Sequence, residues 1–225
     1  MPAATVRRVQ QGLEALYRVD TGVEIDDFLV GADLRDALVA ARRPREQLLV
    51  CQTEATGEGD GGAAPEELAI ALFIDPGALA NLSSHDPGRR LGDHNLGDFL
   101  LVVEGVSHFI YAIRCARAGR PVSQLELELQ AEVDKYVTCL LVTEPAAGVS
   151  ERLRRRLFGD CTYEPDLDHD EHARYRAAND NAHRYAAWLE QAFVAPRRIP
   201  EMLDELRRFY RLGLAAKLGA IARAG

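Results

Sequence analysis

Glu104 and His108 stand four residues apart in a segment, Leu96 to Arg117, that is otherwise almost wholly apolar. At about 100° per residue that spacing puts the carboxylate and the imidazole on one stripe of a helix. Phe99, Val102, Val103, Val106, Phe109, Ile110 and Ile113 cover most of the remaining circumference. A helix that is apolar nearly all round is a buried central helix. A carboxylate carried into such a place needs a cation, a proton or a metal ion to meet it.

The next segment supplies candidates. Ser123 and Glu126 form a capping-box pattern that opens a second helix running to about Val142, and the short turn at Gly119–Pro121 makes the two helices antiparallel neighbours. Leu125, Leu129, Val133, Tyr136 and Leu140 mark its apolar face, with Glu132 inside that face and Glu128 at its edge. Glu126 and Asp134 are expected on the solvent side. Glu104, His108, Glu128 and Glu132 are thus predicted to converge in one interhelical pocket. Three acids and a histidine suit Zn²⁺, Mn²⁺ or Fe²⁺. The expected roles are Glu104, His108 and Glu132 as metal ligands, with His108 alternatively a general base and Glu128 a proton shuttle. A small ligand in place of the ion, and hydrolysis or redox chemistry, are consistent with the same pocket.

Known metal motifs match only in part. The di-iron carboxylate signature needs Glu-x-x-His, one residue shorter than the spacing here. Aligning Glu104 and His108 with the two histidines of a His-Glu-x-x-His motif puts Gly105 where the catalytic Glu belongs, which argues against peptidase activity. The competing reading is an internal ion pair. His108 or Arg114 would meet a Glu of the next helix and set register in a non-enzymatic scaffold or partner-binding protein.

A weaker metal candidate is the pair Asp168 and His172, four apart in the acidic stretch 166–172. Acids ahead of a helix also simply favour its N-terminus. Asn179, further along that helix, falls beside the Tyr175/Ala182 face. The Arg-rich run at 151–156 reads as an exposed helix face. No phosphate-binding loop, dinucleotide fingerprint or serine-hydrolase elbow occurs, which argues against those chemistries.

These residues need a frame. The pattern predicts an α+β protein, a single domain over 1–225. Residues 1–94 form a part with a small antiparallel sheet, and 95–225 a helical part of about five helices. Val6 to Tyr17 has helical spacing, 23–30 leans towards strand, and 34–41 gives one or two helical turns. Gln47 to Thr53 and Leu68 to Ile74 are the two strands of a hairpin, joined by a Gly- and acid-rich stretch at 55–65 expected to be mobile and open to protease. Asp75-Pro76-Gly77 reads as a turn and 83–93 as a surface loop. A long helix follows from Glu171 to Val194. A last one, Glu201 to Ala222, carries Leu203, Leu206, Tyr210, Leu214, Leu218 and Ile221 on one face, weakened by Gly213 and Gly219. That face either folds back on the chain or makes a homodimer.

With 47% hydrophobic and 28% charged residues the chain can build an ordinary folded core. Its net charge of −8 argues against nucleic acid or an anionic membrane as a partner. Arg outnumbers Lys by 25 to 2, which reads as the codon bias of a GC-rich, bacterial genome. Cys51, Cys115, Cys139 and Cys161 lie far apart without CxxC spacing and read as small buried hydrophobes. No early basic-then-apolar segment and no uninterrupted apolar run of about 18 residues stands out, so a cytoplasmic location without a membrane span is expected.

Overall fold

The fold is arranged around one helix, α4 (Leu96–Arg117), whose apolar residues leave it no solvent face. Val102, Val103, Val106 and Phe109 have no exposed surface at all. In the computed structural model, which describes residues 3–38, 44–53, 67–159 and 168–224, this helix packs against α1 (Ala3–Tyr17), α3 (Pro76–Ser84), α5 (Gln124–Val142) and the sheet. The α+β class holds. By length and composition α4 is the one helix among the described residues that could cross a membrane, but 72% of its most apolar stretch is buried inside the fold.

The sheet has three strands in the order β1 (Leu29–Val30), β3 (Glu67–Ile74), β2 (Glu46–Thr53). β2 and β3 form the expected antiparallel pair, with Glu46 opposite Ile74 and Val50 opposite Ile70. β1 runs parallel to β3, so the sheet is mixed where a purely antiparallel one was expected. The stretch 23–30 yields only two strand residues because Ile25–Phe28, with Asp26 and Asp27, winds into a 3-10 turn, and the short helix α2 (Ala32–Leu38) follows β1. The stretch 55–65 lies outside the described residues.

Helix α3 replaces the expected turn and the start of the expected loop. Asp75 caps it by accepting from the Gly77 N–H at 2.7 Å, and Pro76 stands at the first helical position, where its missing N–H costs nothing. Asn95 begins α4, but its side chain turns back to the preceding loop, donating to the carbonyls of His85 and Arg90 at 2.9 Å each. Gly119, with φ at +59°, ends α4 as a left-handed residue.

Beyond α5 come α6 (Ala147–Arg154), which widens into a π turn, then α7 (His169–Leu189), α8 (Ile199–Tyr210) and α9 (Leu214–Ala224). The described residues from 96 onwards therefore hold six helices, because the single last helix expected from the sequence divides around Gly213. Leu206, Tyr210 and Ile221 of its stripe are buried in the chain's own core. Cys115 and Cys139 are free thiols in that core; the side chain of Cys51 and the whole of Cys161 lie outside the description.

Helix α5 is more deeply buried than its sequence pattern predicts. Glu126 and Asp134, expected in solvent, are 3% and 1% exposed. The helix is buried on both faces: it packs against α4 on one side and α7 on another, and Tyr17 of α1 and Lys217 of α9 reach its polar side chains. Asp134 accepts from Ser107 Oγ at 2.6 Å, from Gln130 Nε2 at 2.8 Å and from the Tyr17 hydroxyl. Gln130 in turn accepts from Lys217 Nζ on α9 at 2.5 Å. Glu126 accepts from Tyr111 and, through both oxygens, from Arg120. These pairings satisfy groups that would otherwise cost several kcal/mol each, roughly, to bury.

Candidate metal centre

One turn of α4 separates Glu104 from His108, and α5 runs antiparallel alongside, so its Glu128 comes level with the imidazole. One ligand atom from each of Glu104, His108 and Glu128 can be chosen so that all lie within 4.8 Å of one another. His108 Nε2 is 3.6 Å from Glu128 Oε2. On the other side of the ring, His108 Nδ1 is 3.6 Å from Oε1 of Glu46, the first residue of β2. The side chains of His108, Glu46 and Glu128 are about nine-tenths buried, at 9%, 9% and 11% exposure.

Glu46 reaches the site because α4 has a glycine beside Glu104. A Cβ on Gly105 would lie 2.9 Å from Glu46 Cγ, closer than such atoms approach, and 3.2 Å from Leu72 Cδ1, a tight contact. The missing methyl lets the end of the sheet rest on the helix backbone next to the ligands.

Glu132, expected among the ligands, stands apart from this group. Lys135 Nζ donates to Glu132 Oε1 at 2.7 Å and to Glu104 Oε2 at 3.0 Å. Tyr175 of α7 lines the same region: burial, then the charges of Glu128, Glu104 and Glu46, push its phenol well above the usual range. Asp168 is occupied otherwise. It caps α7, accepting from the Glu171 N–H while the Glu171 carboxylate accepts from its own. Asn179 is buried on the inward face of α7.

Four carboxylates, Glu46, Glu104, Glu128 and Glu132, thus surround two cationic side chains. Burial opposes charge on His108, yet Glu128 and Glu46 outweigh it and hold the imidazole well above its ordinary value. Even with His108 and Lys135 both charged, the acids are in surplus by two. Burial, the largest cause in each case, raises the Glu46 and Glu132 carboxyls above their ordinary value. Burial also works against the Glu104 charge, but Lys135 and His108 overcome it and bring that carboxyl below its usual value.

Two polar atoms remain without a hydrogen bond, His108 Nε2 and Glu46 Oε1. At 3.6 Å their contacts are ion pairs too long for hydrogen bonds. That separation is close to the edge of a tetrahedron around a metal, about 3.4 Å for bonds near 2.1 Å. The donor set therefore fits a divalent ion on the Nε2 side of His108, with Glu46 facing the far ring nitrogen. A negative carboxylate on that side favours the proton on Nδ1, which leaves Nε2 to face an ion.

Glu46 and Lys135 escaped the sequence reading. A signal existed for the second. The chain uses lysine only twice, and Lys135 (14% exposed) and Lys217 (fully buried) both sit inside polar clusters. Nothing beyond this geometry speaks to identity: no family model, curated protein or solved structure matches the chain.

Proposed function

We propose that this protein binds one divalent transition-metal ion between α4 and α5, through Glu104, His108 and Glu128, with Glu46 orienting the histidine. The observation that carries the reading is the Nε2 of a nine-tenths-buried histidine that makes no hydrogen bond, set in a cluster with two surplus negative charges. A divalent ion offsets that surplus and needs His108 in its neutral form, so metal uptake should release the imidazole proton. Bound there, the ion would supply Lewis acidity for hydrolysis, or a redox centre if it is iron or manganese. The chain's own part is to hold the ion in a site that is about nine-tenths buried and so keep bulk water from it. A cytosolic setting belongs to the same reading.

The pairing of Lys135 with Glu104 and Glu132 favours a second reading, in which the cluster is an ion-pair lock on helix register with no ion at all. Elemental analysis together with thermal unfolding separates the two. An ion at one hundred times its dissociation constant stabilises by about 2.7 kcal/mol. For a chain of this size that is roughly 5–10 °C in Tm. Stoichiometric Zn, Mn or Fe, absent from His108→Ala, is the expected result. A metal-free protein whose Tm ignores divalent ions and EDTA would leave only the register lock.

A further inference from the structure

Glu104 belongs to two groupings. Its carboxylate is part of the group with His108 and Glu128, and its Oε2 accepts from Lys135. On the far side the same ammonium meets Glu132, three residues earlier on α5. A carboxylate shared between two cation positions, each closed by further carboxylates, is the plan of a dinuclear carboxylate centre, where a Glu-x-x-His pair of one helix holds an ion. Here α5 offers Glu132-x-x-Lys135. The residue that would be a ligand is itself a cation, and its Nζ lies between the two carboxylates.

We propose that this is a two-cation centre whose second cation is the chain's own ammonium group. One divalent ion sits among Glu104, His108 and Glu128, Glu104 bridges, and Lys135 fills the position a second ion would take. The inference rests on the metal-binding reading above and goes beyond it in two respects. The centre takes one ion and no more, and Glu132 is a counter-ion to Lys135 in place of a ligand.

The test is a titration of the full-length protein with Co²⁺, followed by calorimetry and by visible absorption. Wild type should take one equivalent. Lys135→Met, which keeps the length and removes the charge, opens the second position and should take two. Lys135→Arg should stay at one. Glu132→Gln should also keep one equivalent, with affinity within about threefold of wild type, and it serves as the decisive variant if Lys135→Met does not fold. Two equivalents in wild type, one in a folded Lys135→Met, or loss of the ion in Glu132→Gln would each overturn the proposal while leaving metal binding itself intact. No Co²⁺ bound by wild type overturns both.

Discussion

Lys217 offers a test of how its surroundings treat a buried charge. Its side chain has no exposed surface; Nζ touches Gln130 Oε1 at 2.5 Å and lies 4.3 Å over the Tyr111 ring and 5.2 Å over that of Phe209. Burial, partly offset by Glu126 and Asp134, lowers its pKa from 10.5 to about 7. Because the group is a base with a lowered folded pKa, the native state gives up the proton near pH 7 while the unfolded chain keeps it to about 10.5. Between those values the unfolded state binds more protons, so stability rises with pH, by about 1.4 kcal/mol per unit. From pH 7 to 9.5 the gain is about 3 kcal/mol; below pH 7 the penalty is constant. Attraction to the two rings, roughly 1 kcal/mol, would shorten the window by a little under one unit. The assay is urea unfolding of wild type and Lys217→Met in half-unit steps over that range. Methionine leaves Gln130 Oε1 without its donor, a cost of about 1–3 kcal/mol that does not vary with pH. The informative quantity is therefore the slope of the difference, in which other titrations cancel. Wild type should gain about 2–3 kcal/mol on the variant. Parallel curves, flat to about 0.5 kcal/mol, would refute the reasoning and show an ammonium that stays charged throughout.

Gly105→Ala should destabilise the fold by roughly 1–3 kcal/mol, even though alanine is the better helix former by about 1 kcal/mol, since the new methyl displaces Glu46 and Leu72. Chemical denaturation reads the loss, and an equally stable or more stable variant would show that the sheet has room to retreat. A chain stopped at Pro200 removes Leu206, Phe209, Tyr210 and Lys217 from the core. It should lose cooperative unfolding by circular dichroism, whereas a well-folded truncated chain would show that α8 and α9 are dispensable.

The central helix was legible because its composition leaves no polar side, and the Glu104, His108 and Glu128 grouping followed from helical period plus a turn too short to separate the helices. Glu46 was not legible. Its place depends on how the sheet lies on α4, and that is set by an absent side chain at Gly105. Asp134 and Glu126 misled for a related reason. A polar position opposite an apolar face normally means water, but Gln130, Ala131 and Val137 continued the buried surface around α5, and only the tertiary arrangement shows what covers it. Helix α3 was hidden by an Asp-Pro-Gly sequence that suits a turn and a helix start equally. β1 is two residues long, too short for any alternation to appear.

The scarcity and placement of lysine have a consequence for the chemistry of the surface. Basic charge facing water on the described residues is carried by arginine, while the two lysine side chains lie within the fold, one gripped by carboxylates and one enclosed by aromatic rings. Reagents and enzymes that act on the lysine amine, by acylation, methylation or conjugation, meet no freely accessible target while the molecule is folded. Each lysine becomes reactive only when its own neighbourhood opens: Lys135 when α4 and α5 part, Lys217 when α9 lifts. Lysine modification in this protein is thus a measure of two separate openings, built into the sequence without any label.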